Sequence, residues 1–172
     1  MIYIFMDDKN AFIDIIKGNE GLIFKITTLY TNTADDRDDL YQEIVYQLWK
    51  SFSSFKEASK ISTWMYRVAL NTAIFHLKKS KRNVATIPMD LEILKLAEVR
   101  DSVEEEKIQK LYAHIQQLNL LEKGIVLLYL EGKNHEEIAS VVGLSTSNVG
   151  TKLSRIREKL KTQIIKTKHT WN

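Results

Sequence analysis

Apolar side chains recur at three- and four-residue steps along nearly the whole 172-residue chain, and this spacing admits helices and little else. Phe12, Ile15 and Ile16 form a short stripe that ends at Gly18. Leu22, Ile23, Ile26, Leu29 and Tyr30 form a second, closed by Thr31, Asn32 and Thr33. Leu40, Ile44, Leu48 and Phe52 mark a third helix from Asp35 to about Ser51. Asp35, Asp36, Asp38 and Asp39 stand at its start, where carboxylates suit the positive end of the helix dipole. Residues 51–60 have no clear period and read as a loop. Ser62 or Thr63 is placed to cap the next helix, which runs to about Arg82.

The second half has its own rhythm. Ser102 with Glu105 has the spacing of a capping box, and a helix follows through Ile108, Leu111, Tyr112, Ile115 and Leu118. A second covers Leu121 to Leu130 and stops at Gly132, and a third covers about Asn134 to Val142. Gly143, Leu144 and Ser145 then lead into a long final helix. There is no alternating pair joined by a hairpin turn and no repeat at solenoid spacing. With 6 Gly and 1 Pro the chain is also short of the turn residues an all-β fold needs. The expected fold class is all-α. Two small helical domains, 1–82 and 106–172, are joined by a flexible acidic linker, 83–105, with Pro88 and one short helix at Leu91–Val99.

Composition excludes several functions. Without cysteine there is no disulfide framework, thiolate metal site or cysteine nucleophile. No apolar run reaches the roughly 18 residues of a membrane span. The start from Met1 to Met6 lacks the basic leading region and cleavage site of a signal peptide, so a cytoplasmic protein without membrane insertion is expected. His135-Glu136 is followed by Glu137, Ile138 and Ala139, so the second histidine of a zinc metalloprotease is missing. Asp35 to Asp39 lacks the glycine and distal glutamate of a calcium loop. Neither an enzyme, a metal site nor a cofactor is expected.

The net charge of +3 is unevenly spread. Residues 1–82 carry 12 basic and 10 acidic side chains, residues 83–105 carry 2 and 6, and residues 106–172 carry 11 and 6. From Thr146 to Lys168 there are 7 basic residues and one acid, Glu158. A basic segment of this kind fits a nucleic-acid partner, and it fits a solvated helix face as well.

Pattern separates those readings. From His135 to Val142 a short helix turns Ile138, Ala139 and Val142 inward, Gly143 makes a turn, and Ser145 is an N-cap for the next helix. Val149, Leu153, Ile156 and Leu160 then form one buried stripe. This is the helix-turn-helix pattern, whose second helix enters the DNA major groove. Ser147, Thr151, Ser154, Arg155 and Glu158 lie opposite the stripe, with Lys152, Arg157, Lys159 and Lys161 on its flanks. Polar groups on such a face read base edges, and cations on its rim neutralise phosphate. An ordinary helical hairpin is the plainer alternative. Gly150 falls inside the helix, where it costs about 1 kcal/mol against Ala.

The helix from Ile61 to Arg82 carries two apolar seams on nearly opposite sides. Trp64, Val68, Asn71 and Phe75 form one, and Tyr66, Leu70, Ala73 and Leu77 the other. That pattern is expected of a central helix packed on both faces. Asn71 is either a hydrogen-bonded core amide or a contact to a nucleotide base. Lys78, Lys79, Lys81 and Arg82 end the helix, and aromatics beside cations suit an unpaired strand.

On these residues the chain resembles the bacterial sigma factors of the extracytoplasmic-function type, in the sigma-70 superfamily. Asp35 to Trp49 resembles the family's polymerase-binding helix. Phe55, followed by Ser62 to Ala73, resembles its strand-opening element, and Glu131 to Lys161 its helix-turn-helix. The resemblance implies a factor that binds core RNA polymerase and directs promoter recognition and strand opening. It implies contact with the polymerase clamp helices through Asp39, Gln42, Glu43 and Gln47. It implies contact with the downstream promoter element through Phe55, Trp64, Asn71, Lys78, Lys79 and Arg82, with Phe55 and Asn71 holding a flipped-out base. It implies duplex contact with the upstream element through Ser147, Thr151, Lys152, Ser154, Arg155, Arg157 and Lys161. The polymerase flap and an anti-sigma factor are further implied partners. The chain departs from the family pattern at Asn119-Leu120-Leu121, where a proline is common, and at Gly124 and Gly150, where basic residues are frequent. A helix-turn-helix regulator that acts without core polymerase is the rival reading.

Overall fold

The computed structural model describes residues 2–55, 59–80 and 102–169, and all regular structure among them is helical. The chain divides into two compact units, Met1–Ile87 and Pro88–Asn172, each with four of the described helices. The expected helix at Leu91–Val99, and Lys81 and Arg82, lie outside the described residues.

The first unit contains α1 (Ile2–Gly18), α2 (Glu20–Tyr30), α3 (Ala34–Phe52) and α4 (Ile61–Ser80). α1 starts well before the stripe at Phe12 that announces it. Asn19 ends it, donating from Nδ2 to the Ile15 carbonyl at 2.8 Å. Thr33 is the N-cap of α3, in extended backbone, and its Oγ1 accepts from the Asp36 N–H at 3.1 Å. Leu40, Ile44 and Leu48 are fully buried, as their four-residue spacing predicts. They meet Ile23, Ile26 and Leu29 of α2 and Met65, Ala69 and Ala73 of α4 in one core, where α2 and α3 both pack on α4. Each large aliphatic side chain buried this way contributes about 1.5–3 kcal/mol. An aromatic chain continues the packing outward. Phe12 meets Trp49 at 5.0 Å and Phe52 at 5.4 Å, Phe52 meets Trp64 at 6.3 Å, and Trp64 meets Phe55 at 5.1 Å.

Two expectations about α4 are corrected. The helix starts at Ile61, with the Lys60 carbonyl accepting from the N–H groups of Thr63 and Trp64, so neither Ser62 nor Thr63 caps it. Thr63 is instead buried within the first turn. Nor is the helix packed on both faces. Tyr66, Leu70 and Ala73 are buried, whereas Trp64 and Val68 are half-buried and Asn71 and Phe75 exposed. α2 and α3 cover one seam, and no described element covers the far end of the other.

The second unit contains α5 (Ser102–Gln116), α6 (Leu120–Leu130), α7 (His135–Val142) and α8 (Thr146–His169). α5 begins at Ser102 itself, inside the stretch read as linker. α6 and α7 each start with a capping box, Asn119 with Glu122 and Asn134 with Glu137. Asn119 therefore performs the helix-starting task for α6. Gly132 (φ +73°) and Gly143 (φ +71°) close α6 and α7, and the N–H groups of Lys133 and Leu144 turn back onto the Leu128 and Ala139 carbonyls at 3.0 and 3.1 Å. Ser145 caps α8 as expected, its Oγ accepting from the Asn148 N–H at 3.2 Å. Ile115, Ile125, Leu128, Ile138, Val149 and Ile156 form the core.

Candidate functional site

Three exposed faces carry the residues singled out from the sequence. The first is the outer side of α3. Asp39 and Gln42 are exposed and turned away from Leu40, Ile44 and Leu48, and Glu43 and Gln47 are half-buried along the edge of that stripe. Gln47 Nε2 donates to Glu43 Oε1 at 2.9 Å, which fixes one edge of the strip. The same strip holds two side chains the sequence reading did not select, Tyr46 at 56% exposure and Trp49 at 42%. Their spacing from Asp39, seven and ten residues on, was the available signal.

The second face is the open seam of α4. Trp64, Val68, Asn71, Phe75, Lys78 and Lys79 fall within one sector of the helix. Phe55 joins it from the preceding turn through its ring contact with Trp64. Asn71 lies seven residues beyond Trp64, about 10 Å along the axis. Lys78 and Lys79 are exposed and continue the seam. Phe75, which its apolar spacing placed in a packed seam, is 70% exposed and adds a flat apolar surface between Asn71 and the lysines. The exposure of Asn71 removes the reading of a hydrogen-bonded core amide. A face that alternates rings, an amide and cations can stack and bond unpaired bases while holding their phosphates.

The third face is α8. Val149, Leu153 and Ile156 are buried at 4% exposure or less, so the opposite side faces solvent. Ser147, Thr151, Ser154, Arg155, Glu158 and Lys161 are all exposed there, and Lys152 is half-buried at its edge. Thr151 Oγ1 donates to the Ser147 carbonyl at 3.1 Å, which orients its hydroxyl. Two flanking cations are engaged by α6. Lys159 Nζ lies 2.9 Å from Glu122 Oε2 in a salt bridge. Arg157 Nη2 donates to the Tyr129 hydroxyl at 2.7 Å, with its Cζ 5.0 Å from the ring centre. Burial disfavours the charge of Glu122, but its hydrogen bonds from Lys159 and the Asn119 N–H, with the charges of Lys159 and Lys152, hold its carboxyl below the ordinary range. Sequence spacing could not find these long-range pairs. Among the described residues no cluster of three His, Asp or Glu side chains is placed to hold a metal, and no helix is long and apolar enough to cross a membrane.

Comparison with known proteins matches both units. Residues 15–83 match the family model for sigma-70 region 2, and residues 108–160 match that for sigma-70 region 4. The chain is 27% identical over 169 residues to the ECF RNA polymerase sigma-E factor of Haemophilus influenzae, covering 91% of this chain and 89% of the relative. It is 28% identical over 172 residues to the ECF sigma factor SigW of Bacillus subtilis, covering 91% and 90%. Among solved structures it is similar to the sigma factor RpoE of Bartonella quintana, determined in complex with the anti-sigma factor NepR. The TM-score is 0.68 at 17% identity, over 92% of this chain and 96% of the other. It is also similar to CnrH, determined in complex with the cytosolic domain of CnrY, with a TM-score of 0.65 at 18% identity over 91% and 88%.

Proposed function

The chain belongs to the sigma-70 family, as a sigma factor of the extracytoplasmic-function type, and on that premise we propose which of its faces meets which partner during transcription initiation. It is an initiation factor, not an enzyme: it joins core RNA polymerase and directs it to promoters. One observation carries this reading, the presence of regions 2 and 4 in order within a single chain. A regulator acting without polymerase has no use for region 2.

In our reading residues 1–82 bind the polymerase and the downstream promoter element, residues 83–105 link, and residues 106–172 bind the upstream element and the flap. The α3 strip of Asp39, Gln42, Glu43 and Gln47, with Tyr46 and Trp49, meets the clamp helices. Phe55, Trp64, Asn71, Lys78, Lys79 and Arg82 receive the opened strand. Ser147, Thr151, Lys152, Ser154, Arg155, Arg157 and Lys161 meet duplex DNA, the polar groups reading bases and the cations holding phosphate. The protein works in the cytoplasm, where its polymerase is. An anti-sigma factor is a further partner, in line with the complex in which the RpoE neighbour was solved.

The test is reconstitution. The protein is mixed with core polymerase, and run-off transcription is read on a genomic library. Transcripts that appear only when both are present are expected. Reversing the charges of Asp39 and Glu43 together should weaken core binding at unchanged helical content. Unaltered core affinity of that variant would remove the α3 assignment, and sequence-specific DNA binding without polymerase-dependent transcripts would remove the function.

A further inference from the structure

α6 holds α8 by a cation on each side of its buried stripe, and the two contacts are chemically unlike. At 3.6 residues per turn, Lys159 and Arg157 stand on opposite flanks of the line through Val149, Leu153, Ile156 and Leu160. On one flank Glu122 pairs with Lys159 and cancels its charge. Any phosphate approaching Lys159 must compete with that carboxylate. On the other flank Tyr129 takes Arg157 without cancelling anything. The hydroxyl accepts one N–H at 2.7 Å and the ring lies under the guanidinium at 5.0 Å. Arg157 keeps its full charge and four of its five N–H donors. The Tyr129 hydroxyl, having accepted, still has its own hydrogen to donate. Both residues are solvent-exposed, so neither has to be uncovered before it can act.

We infer that Tyr129 is a positioning residue for DNA binding: it sets the Arg157 guanidinium, before DNA arrives, in the orientation in which it meets a backbone phosphate beside the groove that α8 enters. An unsupported arginine would have to give up its rotamer freedom on binding, whereas one already held by ring and hydroxyl has less to lose. The inference rests on the reading of α8 as the duplex-binding helix. It also makes the rim of that helix asymmetric, with a working cation on the Arg157 flank and a neutralised one at Lys159.

The experiment measures binding of the full-length protein to a short random-sequence DNA duplex by fluorescence anisotropy across a salt series. Tyr129→Phe keeps the ring and removes the hydroxyl, and should weaken binding roughly two- to fivefold, the range of one exposed polar or cation–ring contact. Arg157→Ala should lower the slope of log affinity against log salt by about 0.9, one phosphate contact. In the Arg157→Ala background, Tyr129→Phe should have no further effect, because the residues act as one unit. Arg157→Lys keeps the charge without the planar fork, and its loss should likewise be insensitive to Tyr129→Phe. A merely structural Tyr129 would lower the melting temperature, and its effect on binding would be the same with or without Arg157. Independent, additive losses, or an unchanged slope in Arg157→Ala, would overturn the inference. Lys152→Ala and Arg155→Ala keep the two levels apart. If they weaken binding while Arg157→Ala does not, only the positioning role fails; if neither they nor Arg157→Ala has an effect, or the wild type binds no duplex, the reading of α8 fails and takes the inference with it.

Discussion

Asn71 sits between Val68 and Phe75 on a seam that apolar spacing alone would turn inward, yet its side chain faces water. Asn71→Ala should therefore change stability by no more than about 0.5 kcal/mol, as for a surface substitution. Promoter opening should nonetheless fall, read as loss of permanganate reactivity at downstream thymines, and a pre-melted template should restore it. Normal opening by this variant would show that the amide meets no base. The sequence could not choose between the two seams of α4, because each carries at least three apolar side chains at helical spacing; the structure buries Tyr66, Leu70 and Ala73 in the unit where α2 and α3 pack on this helix. Gly150 poses a different question. A methyl group there would meet only the His135 ring, at 3.7 and 3.8 Å, which is ordinary contact. Gly150→Ala should raise stability by about 1 kcal/mol, measured by urea unfolding. A simultaneous drop in duplex affinity would show that DNA approaches the backbone at this turn.

At the scale of elements, the apolar stripes located the helices well. Leu40, Ile44 and Leu48 in α3, and Val149, Leu153 and Ile156 in α8, are buried where a four- and three-residue spacing puts them. Helix starts were harder to read, since each depends on one or two side-chain hydrogen bonds and not on a stripe of five residues. The spacing of Asn119 with Glu122, and of Asn134 with Glu137, was nevertheless present. The N-cap side chains accept from the Glu122 and Glu137 N–H groups at 2.9 Å. Asn134→Ala and Asn119→Ala should each destabilise the second unit by about 1 kcal/mol. Equilibrium unfolding checks this, and substitutions that leave the midpoint in place would show that neighbouring packing alone starts these helices.

For the whole molecule, the division of charge pointed to two bodies before any packing was known, and each body has its own core. The α6–α8 pairs were not legible at this scale, because Glu122 and Lys159 are 37 residues apart and Tyr129 and Arg157 are 28 apart. Such pairings come from how helices cross. Since α5 to α8 bury Ile115, Ile125, Leu128, Ile138 and Ile156 together, residues 102–172 expressed alone should fold. Their amide spectrum should overlay on the corresponding signals of the full chain. A collapsed spectrum with poor dispersion would mean that this core needs the first unit to form.

Gly132 and Gly143 show what sort of constraint a turn can impose. A methyl group at either place would touch nothing within 4 Å, so its volume does not exclude it. The positive φ does, at roughly 1–2 kcal/mol for an L-residue. A D-residue takes the same torsion in its relaxed state and would also narrow the freedom of the unfolded chain. In a chemically synthesised second unit, D-alanine should therefore be accepted where L-alanine is resisted. What these two positions select is handedness, and glycine is the one encoded residue that has none.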